Sequence, residues 1–337
     1  MGKAFSNYRI EERSFVSYIK REIHMEVSRA GFSEKKIAAI DLIVSEMTSN
    51  IIKHVGSGEL LYRCVEMEKG NPEFEVLCID KGPGMADPTR MRKDGVSTTG
   101  TLGQGLGAIE RLSTFSQVYS LPRWGTIVYS HVKMKEKEPP GKTSDVEIRA
   151  LCVSKPREVA CGDGYRVKRT MGDVRIFFGD GLGHGLDAKA AVDSAGDFFL
   201  ATPESDPVGI IRQMHEKVRR TRGLVAAVAV LDKASSEWRI CGVGNISVRV
   251  YTGLQVKNYM SFNGTVGLNI PTSLKNSTFP LEKNQHLIMS SDGITSRWNL
   301  NQYPSIFKYD STILAAALYR DNLRGNDDAS ILVAKAS

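Results

Sequence analysis

The stretch from Lys133 to Asp145, KMKEKEPPGKTSD, cannot be part of a packed core. It alternates charges, and Pro139-Pro140-Gly141 can continue neither a helix nor a sheet ladder. At 337 residues the chain is also too long for one ordinary hydrophobic core. The expectation is therefore two domains, 1–137 and 146–337, joined by a linker at 138–145. The hydrophobic share of 41% and charged share of 25% suit two folded globular units. No run of apolar residues is long enough to span a bilayer, and Met1 to Lys20 lacks the pattern of a secretory signal. The cysteines Cys64, Cys78, Cys152, Cys161 and Cys241 are odd in number and form no CxxC pair. That usage fits free thiols in a reducing compartment, so a cytoplasmic protein without membrane insertion is expected.

The two halves carry different periodicities. Before the linker, Ser33 can cap a helix whose Ile37, Ile40, Val44, Met47 and Ile51 form one apolar stripe. Strand-like runs follow at Leu60 to Met67 and Phe74 to Ile79. A hairpin then pairs Gln117 to Leu121 with Gly125 to Val132 about Pro122-Arg123-Trp124. After the linker, short apolar runs dominate: Glu147 to Val153, Val174 to Phe178, Leu224 to Leu231, Trp238 to Val243 and His286 to Ser290. Helical patterns lie at Leu186 to Leu200 and Pro207 to Arg220. Both halves read as layered α/β or α+β units, not bundles.

The net charge is +7, and the densest basic run is Lys217 to Arg222, KVRRTR. It reads first as the solvated end of a helix, with docking to an acidic partner as the other reading. Without aromatic residues between the basic ones, nucleic-acid binding is not expected.

In the N-terminal half, Glu46 and Asn50 lie four apart on one helix face, which Lys53 and His54 continue. Asp80-Lys81-Gly82-Pro83-Gly84 follows the strand ending at Ile79. Gly103-Gln104-Gly105-Leu106-Gly107 opens a helical segment, Ala108 to Leu112. A nucleotide needs such pieces. An aspartate at a strand end accepts a hydrogen bond from an adenine amino group, and glycine backbones approach phosphates at a helix N-terminus. Magnesium takes one or two protein oxygens, a role open to Asn50. Glu46 beside it can orient or deprotonate an attacking hydroxyl. Each piece alone is compatible with a plain turn or a solvated helix residue. Their order and spacing narrow the reading.

These boxes resemble the N, G1 and G2 motifs of the GHKL (Bergerat-fold) ATPases, and Gly125-Thr126 looks like that family's last motif. Within the family the stretch Asp94 to Gly100 is most similar to the RsbT-like serine kinases of the bacterial stressosome. The resemblance implies an α/β sandwich that binds ATP and Mg²⁺. It carries over Asn50, Lys53, Asp80, Gly82, Gly84, Gly103, Gly105, Leu106, Gly107 and Thr126 as ATP-binding residues, Asn50 as magnesium ligand, Glu46 as catalytic base and Val96 to Gln104 as an ATP lid. A sensor histidine kinase is the competitor, through His24-Met25-Glu26. Too few residues separate His24 from Glu46 for a helical hairpin, and His24 reads as an ordinary helix residue. No P-loop is present.

In the C-terminal half, acidic residues recur beside glycine or as a pair: Gly162-Asp163-Gly164, Gly179-Asp180-Gly181-Leu182-Gly183-His184-Gly185, Ser291-Asp292-Gly293 and Asn326-Asp327-Asp328. Asp180 and Asp292 follow apolar runs and Asp327 precedes one, Ile331 to Ala334. That pattern would bring carboxylates from several strand ends to one edge of a β-sandwich. Hard oxygen ligands without His or Cys suit Mg²⁺ or Mn²⁺. Two such ions can activate a water in line with a phosphorus atom.

The series resembles the metal-dependent protein phosphatases (PPM, or protein phosphatase 2C-like) in their SpoIIE-type branch. Gly179 to Gly185, with Gly242 to Ile246, is most similar to the RsbX-like group. The resemblance implies an αββα sandwich in which Asp180 bridges two metals, Gly181 adds its carbonyl, and Asp163, Asp292 and Asp327 complete the set. Asp328 then lies behind the ligands, and His184 is either a general acid or a residue that shapes its loop. Together the two resemblances imply a partner-switching regulator. It would dephosphorylate phosphoserine or phosphothreonine on a STAS-domain (anti-sigma-antagonist-like) protein, in a sigma-factor regulatory or stressosome-like complex. The N-terminal half would phosphorylate serine or threonine, or else act as a non-catalytic ATP-dependent binding module.

Overall fold

Antiparallel strand pairing frames both halves of the chain. The computed structural model describes residues 3–67, 71–88, 105–135, 146–253 and 255–336. The chain divides into two compact units, one of Phe5–Lys142 with Tyr303–Ala317, the other of Thr143–Gln302 with Leu318–Ser337 and Met1–Ala4.

In the first unit, strands β1 (Ser6–Ile10), β2 (Gly58–Met67), β3 (Asn71–Asp80), β4 (Phe115–Leu121) and β5 (Gly125–Lys133) form one sheet in the order β1-β2-β3-β5-β4. Every neighbouring pair is antiparallel. Helices α1 (Arg13–Arg29), α2 (Glu34–His54) and α3 (Gly105–Leu112) accompany it. The helical stripe of α2, Ile40, Val44, Met47 and Ile51, is buried in one core with Leu60, Tyr62, Cys64, Phe74, Val76 and Cys78. Those sheet residues recur every second position, so a 3.6-residue period on the helix meets a two-residue period on the strands. Ser33 occupies the N-cap of α2 as expected, but its side chain makes no capping bond. Glu34 in the first turn meets the positive end of the helix dipole instead. Helix α1, which the sequence reading did not delimit, buries Ile19, Ile23 and Val27 at i, i+4, i+8. His24 Nδ1 lies 2.8 Å from Asp41 Oδ2, tying α1 to α2.

The other face of this sheet carries charge. Arg63 pairs with Glu75 directly across β2 and β3. Tyr129 donates to Glu75 Oε1 at 2.5 Å, and Glu73 meets His131 and Lys133 at 3.0 Å each. Residues 303–317, late in the sequence, belong to the same unit: Tyr309 packs edge-on against Tyr119 at 5.1 Å, and Asp310 N donates to Gln117 Oε1 at 2.7 Å.

The second unit is a β-sandwich. One sheet orders β13 (Ser277–Pro280), β10 (Glu237–Val243), β9 (Leu224–Asp232), β8 (Asp173–Gly181) and β7 (Asp163–Arg169). The other orders β12 (Gln255–Tyr259), β11 (Ser247–Thr252), β14 (His286–Ser290), β15 (Ala329–Ala336) and β6 (Val146–Val153). Ile176, Phe178, Ala227, Trp238 and Ile240 from the first sheet share a core with Val248, Leu287, Met289, Leu332 and Ala334 from the second. The first sheet's other face packs on α4 (Leu186–Ala201) and α5 (Pro207–Lys217) through Phe177, Val228, Val192, Phe199, Ile211 and Met214. Strand β9 is thus covered on both faces, which explains why its sequence VAAVAVL does not alternate. Asp206 caps α5 by accepting from Gly209 N at 3.1 Å, with Pro207 in the first helical turn. Helix α5 stops at Lys217, short of the expected Arg220. A turn closed by Thr221 and Gly223 follows, with Gly223 at φ +82°. A last helix, α6 (Ser311–Asn322), precedes β15; its residues to Ala317 group with the first unit and those from Leu318 with the second.

Candidate functional site

Two clusters of polar residues sit at strand ends, one in each unit. In the first, Asp80 ends β3 and is 9% exposed. Its Oδ1 accepts from Gly82 N at 2.8 Å and Thr126 N at 3.2 Å, so two motif segments far apart in sequence meet on one carboxylate. Ser120, which sequence reasoning missed, completes this knot. Its hydroxyl contacts Thr126 Oγ1 at 2.9 Å and accepts from Met85 N at 2.8 Å. Only its place on β4 beside Gly125-Thr126 could have drawn attention to it. Gly84 has φ +69°, and a Cβ there would strike the Leu121 carbonyl. Glycine is therefore required where this loop meets the β4–β5 turn.

Helix α2 is the shared wall. A Cβ on Gly105 would lie 2.8 Å from Glu46 Oε2 and 3.6 Å from the Asn50 side chain. A Cβ on Gly82 would meet Val55, just past the helix end, at 2.7 Å. Glu46 and Asn50 thus face the start of α3, and the helix end faces the Asp80 loop. Gly105, Leu106 and Gly107 lie inside α3, one turn earlier than the expected helix start, so they are helix N-terminal residues and not loop. Such a start still offers free N–H groups to an anion. Lys53 is exposed and lines a cavity of about 310 Å³ with Arg13, Val16, Ser45, Thr48, Ser49 and Ile52. Gly103 and the proposed lid, Val96 to Gln104, lie outside the described residues.

In the second unit, Asp163 opens β7 and stands directly opposite Asp180 of β8. Side chains so paired lie about 5 Å apart, and like charges there repel. Burial, then Asp163, Asp292 and Asp327, push the Asp180 carboxyl well above the usual carboxylate range. Asp292 and Asp327 thus lie near enough for their charge to act on Asp180. Asp163 is raised too, by burial first, and then by Asp328 against the opposing Ser291 bond. Ser291 donates to Asp163 Oδ2 at 2.7 Å, while buried Asp163 Oδ1 has no hydrogen-bond partner. Asn245 Nδ2 donates to Asp292 Oδ2 at 2.9 Å. Asp328 is used differently. Its two oxygens accept Lys155 N and Gly162 N, both at 2.7 Å, so it fastens the Asp163 loop. A Cβ on Gly181 would strike the Ala188 backbone, which holds this residue's peptide against α4. His184 Nδ1 lies 2.6 Å from Glu158 Oε1, a partner that sequence spacing did not suggest.

The carboxylates suit a divalent cation. An orphaned oxygen and mutual repulsion both call for positive charge, and the donors are hard oxygens. Among the described residues no three His, Cys, Asp or Glu side chains are already arranged as a metal-binding group. Among the described residues no helix is long and apolar enough to cross a membrane.

The histidine kinase-like ATPase domain family matches residues 15–128, and the Stage II sporulation protein E (SpoIIE) family matches residues 170–337. The serine/threonine-protein kinase RsbT of Bacillus subtilis (strain 168) is 32% identical over 96 residues, 28% of this chain and 71% of RsbT. A chain solved in work on the bacterial stressosome as a modular system for secondary messenger control is 27% identical. It aligns with 57% of this chain and all of its own length at a TM-score of 0.53. RsbX, solved in complex with magnesium, shares the fold at 18% identity and a TM-score of 0.52, over 58% of this chain and 98% of its own.

Proposed function

The chain belongs to the RsbT-type histidine kinase-like ATPases and carries a SpoIIE-type phosphatase domain, and on that premise we propose that it both removes and adds phosphate on a partner protein. The C-terminal site hydrolyses phosphoserine or phosphothreonine on a protein. The observation that carries this reading is the cross-strand pair Asp163–Asp180, which sets two buried carboxylates against each other and leaves one Asp163 oxygen without a partner. Asp180, Asp163, Asp292, Asp327 and the Gly181 carbonyl would hold two Mn²⁺ or Mg²⁺ ions, which supply an activated water and offset phosphoryl charge. Ser291 and Asn245 orient Asp163 and Asp292, and Asp328 fixes the loop between β6 and β7. His184, 2.6 Å from Glu158, would either act as general acid for the departing serine oxygen or shape its loop.

The N-terminal half binds ATP with Mg²⁺ and transfers phosphate to the same class of partner, a STAS-domain protein of a stressosome-like assembly. Asp80, anchored by Gly82 and Thr126, would receive the adenine amino group. Asn50 would hold magnesium, the start of α3 the phosphates, and Glu46 would orient the acceptor hydroxyl. The second reading keeps ATP binding without transfer, as a nucleotide-dependent docking module.

The test is radiolabelled phosphate transfer from ATP to a STAS-domain protein by the full chain with Asp292→Asn silencing hydrolysis, followed by Mn²⁺-dependent release by the unaltered chain. Labelling that disappears with Asp80→Asn supports the double activity. Release without labelling leaves the docking module, and hydrolysis that persists in a chelator sinks the metal reading.

A further inference from the structure

The basic run Lys217 to Arg222 puts one residue beside the phosphatase loop. Val218 and Gly223 close the turn after α5 through Thr221, whose hydroxyl donates to Val218 O at 2.7 Å and accepts from Gly223 N at 3.1 Å. Strand β9 then pairs with β8 so that Leu224 faces Gly181 and Val225 faces Asp180. Leu182 N donates to Gly223 O at 3.1 Å, extending that pairing one step past the sheet edge. Arg222 is therefore delivered, on an ordered turn, alongside Leu182 and Gly183. Its Nη1 lies 3.2 Å from where a Cβ on Gly183 would stand, so glycine leaves the room that the guanidinium occupies.

Arg222 pairs with Asp187 at 3.0 Å, and the two side chains are 53% and 70% exposed. An ion pair so open to water contributes little and is readily exchanged. A phosphoryl group offers the same guanidinium two charged oxygens in the planar geometry that arginine matches best. Gly183 follows the Asp180-Gly181 step by two residues, so this cation stands beside the loop that leads away from the candidate metal ligands, where positive charge favours the approach of a phosphate dianion. Arg219 is engaged otherwise, with Glu216 at 2.9 Å.

We propose that Arg222 grips the phosphoryl oxygens of the phosphoserine or phosphothreonine substrate, with Asp187 as the partner it leaves when substrate arrives. The proposal rests on the reading of the C-terminal site as a metal-dependent phosphatase.

The test uses the full chain loaded with Mn²⁺, with steady-state hydrolysis of p-nitrophenyl phosphate and calorimetric titration of inorganic phosphate. Arg222→Ala is expected to weaken phosphate binding and raise KM by about 10-fold or more, in the range of a lost charged hydrogen bond. Its melting temperature and Mn²⁺ affinity stay unchanged, and Arg222→Lys recovers part of the loss. Asp187→Asn, which removes the competing carboxylate, is expected to leave phosphate affinity no weaker than wild type and to lower KM slightly. Wild-type phosphate affinity in Arg222→Ala would overturn the proposal. So would an equal loss in Asp187→Asn, because Arg222 would then merely clamp the loop. If the unaltered chain shows no Mn²⁺-dependent hydrolysis, the phosphatase reading itself falls, and the proposal with it.

Discussion

Asp80 and Asp163 are almost equally buried, at 9% and 7% exposure, yet they are held in opposite ways. Asp80 Oδ1 takes two backbone N–H groups from its own unit and is satisfied before any ligand arrives. Asp163 faces another carboxylate across a strand pair, and one of its buried oxygens has no partner. The first arrangement is a finished socket, where the ligand adds to a structure already stable. The second is an unbalanced charge cluster that a cation would complete. Burial therefore does not distinguish the aspartate proposed to dock a nucleotide from the one proposed to bind metal; the partner does.

The largest effect expected separates these two states directly. Asp180→Asn removes a converging charge, so metal-dependent hydrolysis is expected to fall by about 10³-fold, equivalent to several kcal/mol. The same change relieves repulsion and is expected to raise the melting temperature of the chelated chain by about 2–4 °C. If that melting temperature falls instead, the contrast with Asp80 collapses. Asp80→Asn, by comparison, disturbs a satisfied group and is expected to lower stability while weakening ATP binding in calorimetry.

Next in size is Arg63→Ala. It strands Glu75 on a buried sheet face and is expected to cost about 3–5 kcal/mol in denaturant unfolding. Glu46→Gln is expected to reduce phosphoryl transfer about 10²-fold at unchanged ATP affinity, since Glu46 abuts Gly105 without touching the Asp80 knot. Equal transfer by Glu46→Gln and wild type would remove Glu46 as the base.

The smallest effect divides the two units by pH. Burial and Lys335 lower the His286 pKa from 6.5 to about 4. Burial alone would raise Glu75, but Arg63 and His131 bring it down from 4.5 to about 2. Both groups bind protons more tightly in the unfolded chain, so their stability is present above the unfolded pKa and is lost as pH falls. The His286 contribution, at most about 3 kcal/mol, is lost from pH 6.5 to 4, and that of Glu75 only from 4.5 to 2. Unfolding monitored at Trp238 is therefore expected to respond to mild acid before unfolding monitored at Trp124 does. His286→Gln is expected to flatten the milder dependence, and an unchanged profile would deny His286 that role.

Much of both candidate sites was legible in the residues because the relevant signals are local. The i, i+4 pair Glu46 and Asn50, the glycines around Asp80 and the Asp-Gly steps near β7, β8 and β14 are short-range patterns with short-range causes. Period-two and period-3.6 apolar spacing delimited most strands and helix α2 to within a few residues. Strands β1, β7, β11, β12 and β13 and helices α1 and α6 were not delimited. In most of these strands and in α1 polar or charged residues interrupt the apolar ones, as in strand β12, where only Tyr259 is buried.

What the sequence by itself determined is the kind of chemistry: which carboxylates, amides and glycines are present, and in what order along two layered units. Only the tertiary structure decided how they are shared out. Strand register set Asp163 against Asp180, and the loop before β7 turned both Asp328 oxygens onto backbone N–H groups. Long-range packing also joined residues 303–317 to the first unit and brought Arg222 to Gly183. A chain carries its short-range preferences in adjacent residues. Pairings between strands and turns distant in sequence are set by the burial and hydrogen bonding of the whole fold, and no local pattern records them.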